Sequence, residues 1–248
     1  MSPQPDVSVV LPVWNGAKYL NGALESILSQ EGITLELIII DDCSTDATPE
    51  ICQSWKDWHG DRIKYFRNEK NLRLPISLNR GFGQATGKFW TWTSDDNRYS
   101  PKALSTMHQA LTRGEQADVV YAGVLDIDER GEVIGENPTV DPDPRALLRK
   151  NAVHACFLFR PEVYVCTGGY DTALFGGEDW DFWVRAYKKG FRFHYIDQVL
   201  YRYRVHDHSI TRMNRPECLR SWARVIKKNK LYGIYPNALA MWVKSFFV

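Results

Sequence analysis

The sequence has few of the features that mark membrane or secreted proteins. Its longest apolar runs, such as LELIII and ALAMWV, are far shorter than the roughly 20 residues that cross a bilayer. The first residues, MSPQPDVSVVLPVW, carry no basic segment followed by a long apolar core and a small-residue cleavage site. We therefore expect neither an integral membrane protein nor a secretory leader, and we predict a cytoplasmic protein.

Cysteine is also scarce. The chain has five cysteines, an odd number, and no two of them are spaced as C-x-x-C. This spacing argues against a disulfide framework and against a thiolate zinc site. We expect reduced thiols at Cys43, Cys52, Cys156, Cys166 and Cys218.

A glycine-rich phosphate-binding loop is missing, because no G-x-x-x-x-G-K-[ST] motif occurs. The glycines of GFGQATG have a spacing close to the dinucleotide-binding fingerprint. That fingerprint needs a strand before it and a helix after it, whereas here a helical pattern comes first and a strand follows. We interpret these glycines as a helix end and a turn, so any bound phosphate needs other ligands.

Negative charge is rare near the C-terminus. From Arg202 onward the chain has ten Lys or Arg residues and two acidic residues. The local net charge is about +8, in a chain of net charge +1. A solvated basic face explains this charge, and an anionic partner such as a phospholipid surface or a phosphate-bearing substrate is the alternative. We expect no nucleic-acid partner.

The C-terminal segment, residues 212–248, is predicted to be a basic, helical extension. Its lysines would supply charge and its aromatic residues apolar contact for peripheral attachment to the inner face of a membrane. Packing on its own domain or on a second copy of the chain is the other interpretation. The residues concerned are Lys227, Lys228, Lys230, Trp242, Phe246 and Phe247.

Short apolar runs alternate with amphipathic helical patterns over the first half of the chain. VSVVLPVW, LELIIIDD, RIKYF and KFWTWTS are predicted strands, and AKYLNGALESILSQ, DATPEICQSWKDW and PISLNRGFGQAT are predicted helices. This order is typical of βαβ units. It predicts an α/β fold whose central sheet is mostly parallel, with helices on both faces.

The second half is less regular. A hairpin is predicted around the turn ERG, further strands in NAVHACFLFR, FRFHYI and VLYRYRVH, and a helix in GEDWDFWVRAYKKG. In the last of these strands, alternation places Arg204 and His206 on one face.

Two acidic pairs follow predicted strands. Asp41 and Asp42 end LELIIIDD, and Asp95 with Asp96 follow KFWTWTS, just before a helix that we expect to begin with Ser100 as N-cap and Pro101 as its first residue. Ligands bind outside the carboxyl ends of parallel strands, so both pairs are expected to face one crevice. Aspartates there hold a divalent cation on a diphosphate, or they merely favour a turn and a helix N-terminus.

The order of VSVVLPVWNGAKYL, LELIIIDDCSTDAT and NLRLPISLNRGFGQATGKFWTWTSDDNRYSP resembles the family-2 glycosyltransferases with the GT-A fold. The resemblance continues through FRPEVYVCTGGYD, GGEDWDFWVRAYKKGFRFHYID and YRYRVHDHSIT, and spans residues 7–211. It implies one glycosyltransferase domain over residues 1–211, with a Rossmann-like nucleotide-sugar half over about 1–100 and an acceptor and catalytic half over 101–211.

The resemblance also implies the reaction. A sugar would pass, with inversion, from a nucleotide diphosphate sugar to a hydroxyl of a saccharide or glycolipid acceptor, in polysaccharide or glycoconjugate synthesis. The expected donor is a UDP-sugar and the expected cofactor is Mg2+ or Mn2+. The alternatives are a nucleotidyltransferase, whose usual basic glycine-rich loop is missing here, and a non-catalytic module that binds a nucleotide or sugar.

Individual site residues are implied by the same resemblance. Asp96 and His206 would be metal ligands, and His206 would complete the metal or diphosphate site. The residues that would contact the nucleotide are Pro12, Trp14, Asn15, Asp41, Asp42, Arg73, Asn79 and Asp95. Two departures stand out: Ser94 replaces the first aspartate of the D-x-D-type motif, and Leu78 stands where an arginine is common, so Arg73 is the candidate to replace that charge.

Three acidic residues follow the glycines in GGEDWDFWVR. Asp181 and Arg185 are spaced i,i+4 on a helix, so Asp181 is expected to form a structural ion pair. Glu178 and Asp179 lie at the helix N-terminus, where simple complementarity to the helix dipole would explain them. The resemblance instead assigns the general base of the reaction to Asp179.

Overall fold

The computed structural model describes residues 3–113, 116–137, 139–207, 209 and 213–231. Within them the strands are β1 (Val7–Val13), β2 (Leu35–Asp41), β3 (Ile63–Arg67), β4 (Phe89–Trp92), β5 (Arg98–Tyr99), β6 (Val119–Ile127), β7 (Val133–Glu136), β8 (Phe157–Phe159) and β9 (Phe193–Arg204). The α-helices are α1 (Leu20–Leu28), α2 (Thr48–His59), α3 (Leu74–Phe82), α4 (Ala103–Thr112), α5 (Pro161–Thr167), α6 (Glu178–Lys188) and α7 (Arg215–Lys228).

One mixed sheet runs through the molecule. Its order is β3-β2-β1-β4-β8-β6-β9-β5, and β7 pairs with β6. The first four strands in this order are parallel to one another. Strands β1 and β2 are buried along their whole length, which is why their sequences are continuous apolar runs without alternation. The predicted α/β fold is confirmed, and its parallel part coincides with the first half of the chain.

The second half of the sheet mixes directions. Strand β8 is antiparallel to β4 and β6, whereas β9 is parallel to β6 and antiparallel to β5. The two late strands predicted in FRFHYI and VLYRYRVH are wrong as separate elements, because β9 is continuous. Ile196 pairs with Ala122 on β6, but the next pair is Val199 with Gly123. Asp197 and Gln198 therefore form a bulge that does not end the strand.

The segment after Asp96 also differs from the prediction. Residues 98–99 form β5 instead of leading directly into a helix. The backbone N–H of Ser100 donates to Leu200 O, and α4 begins at Ala103 with Lys102 in the cap position. Pairing with β9 thus occupies Ser100, and the predicted N-cap at Ser100 and helix start at Pro101 are wrong.

Two hydrophobic layers cover the two faces of the sheet. Val9 on β1 packs with Leu24 of α1, and Val10 on the opposite face packs with Phe82 of α3 and Trp183 of α6. A third, smaller cluster joins α6 to α7 through Trp180, Val184, Val225 and Ile226, among others. All five cysteines are free, as predicted. No helix in the described ranges has the length and apolar character to span a bilayer.

The described part of the basic extension packs on the domain. Lys228 Nζ lies 2.6 Å from Asp171 Oδ2 and 3.0 Å from Asp181 Oδ2, so this lysine forms ion pairs within the protein. Of the residues expected to attach a membrane, Trp242, Phe246 and Phe247 lie outside the described residues.

Asp181 is the fully buried centre of this contact. The predicted i,i+4 ion pair is confirmed, since Arg185 Nε donates to Asp181 Oδ2 at 2.7 Å. Asn229 Nδ2 of the following turn donates to Oδ1 at 2.9 Å. The carboxylate therefore joins α6 to the end of α7.

We expect Asp181→Ala to lower the free energy of unfolding by about 3–5 kcal/mol, because it leaves the largely buried Arg185 and Asn229 donors without their acceptor. Urea unfolding at pH 7 measures this. The matched control is Glu31→Ala, which removes the exposed partner of Lys102 and should cost less than about 1 kcal/mol. Equal effects of the two substitutions would contradict the assigned role of Asp181.

Candidate active site

The turn after β4 carries Asp95 and Asp96, and Asp95 lies against the loop after β1. A Cβ atom placed on Gly16 would lie 1.8 Å from Asp95 Oδ2, so only glycine allows the backbone this close to the carboxylate. Burial, and then repulsion by Asp96, raise the pKa of Asp95 to about 8. The two carboxylates thus lie close enough to repel each other.

Asp96 meets His206 from the end of β9, as the resemblance implied. Asp96 Oδ2 and His206 Nε2 are 2.9 Å apart. Arg204 fixes this arrangement, because its Nε donates to Asp96 O and its backbone N–H donates to Asn97 Oδ1. The guanidinium of Arg204 also donates to the carbonyl oxygens of residues 128 and 129 and lies over the ring of Tyr19.

These residues fit a divalent cation. Carboxylate oxygens are the ligands that Mg2+ prefers, and imidazole suits transition metals. Asp96 Oδ1 is buried without a hydrogen-bond partner, which leaves one oxygen for a cation. In the part of the chain that the structure describes, no three His, Cys, Asp or Glu side chains gather at one point, so the protein supplies an incomplete ligand set.

The loop after β1 is tied to the loop after β2. Asn15 has a left-handed backbone with a φ of 53°, its N–H donates to Ser44 Oγ, and its Oδ1 accepts from the Thr45 N–H at 2.8 Å. Pro12 lies inside β1, paired with Ile40. The neighbouring Trp14 is 55% exposed, so its ring is open to a ligand.

The carboxylates of Asp41 and Asp42, at the end of β2, accept hydrogen bonds from other parts of the chain. Asp41 accepts from the Ser44 N–H and from Tyr65 Oη. Asp42 accepts from Asn68 Nδ2 at 2.7 Å and from the backbone N–H groups of Leu72 and Arg73 at 2.8 and 2.7 Å. Both carboxylates therefore shape the loops of the crevice, and their contact with a nucleotide base stays a prediction.

Arg73 and Asn79 contact different parts of the second half. The Arg73 guanidinium pairs with Glu217 of α7 and lies 5.0 Å from the ring centre of Phe175. The amide of Asn79 donates to Tyr170 O and accepts from the Tyr170 N–H and Tyr164 Oη. Asn79 thus holds the turn after α5, and the nucleotide contacts expected of both residues stay predictions.

Glu178 and Asp179 begin α6 and have different surroundings. Glu178 Oε2 accepts from the backbone N–H groups of Gly176 and Gly177 at 2.6 and 2.9 Å. Asp179 Oδ1 is buried without a hydrogen-bond partner. Burial, and then the neighbouring Glu178, raise the pKa of Asp179 well above its ordinary range. The Glu178 carboxylate therefore stabilises the loop before α6, whereas Asp179 retains an oxygen that can accept a proton.

Helix α6 is linked to the acidic turn through Tyr170. Trp92 Nε1, at the end of β4, donates to Tyr170 Oη at 2.9 Å. Burial, and then the charge of Asp179, raise the pKa of the Tyr170 phenol well above its ordinary range. The two predicted centres of the site thus share one connecting side chain.

Helix α7 supplies contacts that the sequence interpretation missed. Trp222 Nε1 donates to Gly176 O at 2.6 Å, and Ser221 Oγ accepts from the Phe175 N–H at 3.0 Å. A Cβ atom on Gly176, whose φ is +78°, would lie 2.2 Å from Cys218 Sγ. The only available signal was the amphipathic pattern of RPECLRSWARVIKK, which indicates a packed helix but not what it covers.

Comparison with known proteins agrees with this geometry. A family model described as Glycosyl transferase family 2 matches residues 8–164. The protein named "Putative glycosyltransferase EpsE" of Bacillus subtilis (strain 168) is 34% identical over 209 residues, which cover 82% of this chain and 74% of that protein. Uncharacterized glycosyltransferase RT0329 of Rickettsia typhi is 30% identical over 239 residues, covering 90% of this chain and 72% of that protein.

Solved structures share the fold. S. aureus TarS 1-349 in complex with UDP-GlcNAc gives a TM-score of 0.73 at 20% identity and covers 98% of this chain and 72% of that one. The mannosyltransferase PcManGT from Pyrobaculum calidifontis, in complex with GDP-Man and Mn2+, gives 0.71 at 18% identity, with 98% and 74% covered. The family match over most of the chain, together with these relatives, shows that the protein belongs to glycosyl transferase family 2 and has the GT-A fold.

Proposed function

We propose that the protein transfers a sugar, with inversion, from a nucleotide diphosphate sugar to an acceptor hydroxyl, with Asp179 as the general base. The observation that carries this proposal is the difference between two adjacent carboxylates. Glu178 is bound by two backbone N–H groups, whereas Asp179 Oδ1 is buried and has no hydrogen-bond partner. A base must keep an oxygen free for the incoming proton.

The chemistry of Asp179 follows from its surroundings. The acceptor hydroxyl oxygen forms a bond to the anomeric carbon while the bond from that carbon to the diphosphate breaks. Asp179 takes the hydroxyl proton, and the nucleotide diphosphate leaves with the bonding electrons. The raised pKa of Asp179 makes it a stronger base than an ordinary aspartate, and general bases work best when their pKa is near the working pH.

Asp96 and His206 would hold Mg2+ or Mn2+, with Asp95 beside them. A bound ion of this kind supplies positive charge that offsets the charge of the leaving diphosphate. The buried Asp96 Oδ1 without a partner and the short Asp96–His206 distance support this assignment. The structural neighbour PcManGT is in complex with Mn2+, which is consistent with a divalent cation here.

The donor is proposed to be a UDP-sugar, bound by the loops after β1 and β2. The open ring of Trp14 can stack on a base, and Pro12, Asn15, Asp41, Asp42 and Asp95 lie in or against the same loops. Asn79 of α3 is a further proposed contact. Structural neighbours are in complex with UDP, UDP-GlcNAc and GDP-Man. Family membership favours sugar transfer over nucleotidyl transfer, and turnover of a labelled nucleotide sugar separates an enzyme from a silent binding module.

Asp179→Asn should lower kcat by roughly a hundredfold or more, because asparagine keeps the size of the side chain but cannot accept the proton. The donor dissociation constant should stay unchanged. Release of the nucleoside diphosphate measures turnover, and calorimetry measures donor binding. The control is Glu178→Gln, which we expect to retain most activity; an inactive Glu178→Gln with an active Asp179→Asn would move the base to Glu178.

The rate should also depend on pH through Asp179. Only the deprotonated carboxylate accepts a proton, and its pKa lies above the ordinary aspartate value, so kcat should fall as the pH is lowered through that raised pKa and level off above it. The residual activity of Asp179→Asn should lack this acidic limb. A limb of the same shape in the variant would assign the titration to another group.

Asp96→Ala should abolish Mn2+-dependent UDP binding without unfolding the protein, because Asp96 lies in a turn outside the hydrophobic core. Calorimetry with and without Mn2+ measures the binding, and circular dichroism checks the fold. Asp57→Ala, which removes an exposed carboxylate on α2, should bind UDP like the unsubstituted protein. Unchanged Mn2+-dependent affinity in Asp96→Ala would refute the metal assignment.

A further inference from the structure

A second charged cavity lies beside the loop that leads to Asp179. It has a volume of about 120 Å3, several times what one water molecule needs. Residues 172–175 form one wall and α7 forms the other. Arg73, Arg220 and Arg224 line it, against Glu217 as the single acidic residue. We call this cavity the arginine pocket; its lining carries a net charge of about +2.

The three guanidinium groups are held differently. Arg73 is anchored at its backbone by Asp42 and at its side chain by Glu217 and Phe175. Arg224 Nη1 donates to Ala173 O at 3.0 Å. Arg220 is half-buried, and no acidic group among the described residues pairs with it. Since each guanidinium has five N–H donors, most of these donors have no protein acceptor among the described residues.

The charge and the donors favour a phosphate group as the occupant. Guanidinium groups match phosphate oxygens with paired N–H donors. A phosphate monoester carries about two negative charges, which equals the excess charge of the lining, whereas a carboxylate carries one. None of Asp95, Asp96 and His206 lines this pocket, so it is separate from the proposed metal centre.

The position of the pocket connects it to the acceptor. Phe175 precedes Asp179 by four residues, so their Cα atoms are at most about 14 Å apart. This is short enough for one molecule to reach from the pocket to the base. The same wall is fixed to α7 by the hydrogen bond from the Phe175 N–H to Ser221 Oγ.

We propose that the arginine pocket binds a phosphate group of the acceptor and so directs the acceptor hydroxyl toward Asp179. The assignment of this phosphate to the acceptor rests on the proposed function. Binding of phosphate itself does not depend on catalysis, so the two can fail separately.

The test uses the full chain and inorganic phosphate as the probe, in EDTA at constant ionic strength, by calorimetry. Arg220→Gln should raise the phosphate dissociation constant about tenfold, because a charge-assisted contact is lost. The matched control is Arg215→Gln, an exposed arginine on the same helix that does not line the pocket, which should change the constant less than twofold. Equal effects of the two substitutions, or no saturable phosphate binding, would overturn the proposal.

A competition experiment assigns the phosphate to the acceptor or to the donor. With saturating UDP and Mn2+ present, phosphate should still bind with unchanged affinity. Displacement by UDP would place the pocket in the donor site and overturn the acceptor assignment. If phosphate binds as expected but Asp179→Asn keeps full turnover, phosphate binding in the arginine pocket is supported and the assignment of Asp179 as the base is refuted.

Two further arms separate the possible sources of the phosphate. Methyl phosphate represents a soluble acceptor, and dodecyl phosphate in phosphatidylcholine vesicles represents a lipid-linked one. Binding that Arg220→Gln weakens in either arm supports the proposal and names the source. Binding in neither arm, or binding that Arg220→Gln leaves unchanged, counts against it.

Discussion

The contact between Asp181 and its three donors holds α6 and α7 of this glycosyltransferase together. One buried carboxylate takes Arg185 from its own helix and Lys228 and Asn229 from the end of α7. Arg185 also donates to the carbonyl oxygens of Thr167 and Gly169, just before Tyr170. Because Tyr170 contacts Asn79 of α3 and Trp92 of β4, one continuous hydrogen-bonded network fixes the orientation of α6 against the parallel part of the sheet.

Three pairs of adjacent acidic residues lie at the ends of secondary-structure elements, and they differ in their hydrogen-bond partners. Asp41 and Asp42 are satisfied by loop donors, and Glu178 is satisfied by the backbone that precedes it. Asp96 and Asp179 each keep one buried oxygen without a partner. Buried polar atoms are usually paired. Among the described residues, Asp96 and Asp179 are the acidic exceptions, and these are the residues to which we assign a cation and a proton.

Much of the parallel half could be predicted from the sequence, because fully buried strands produce long apolar runs and helices between them produce periodic ones. The ends of elements that depend on distant pairing could not. Ser100 has good N-cap chemistry, yet β5 forms there because β9 offers it a partner about 100 residues away. Local propensity carries no information about such a partner.

The site shows the same division. The proximity of Asp96 and His206, 110 residues apart in sequence, followed from the resemblance and not from spacing. The contacts of α7 lay outside that resemblance, and nothing in a basic amphipathic pattern says which loop it will cover. Arg73 illustrates the limit: its charge was noted, but its pairing with Glu217 required the fold.

The hydrogen bonds from α7 to residues 175 and 176 have a consequence for the order in which the enzyme matures. The chain emerges from the ribosome N-terminus first, so the parallel part of the sheet and the segment with Asp179 are made before Ser221 and Trp222. The loop before Asp179 therefore gains these two contacts with α7 only after translation has passed Trp222.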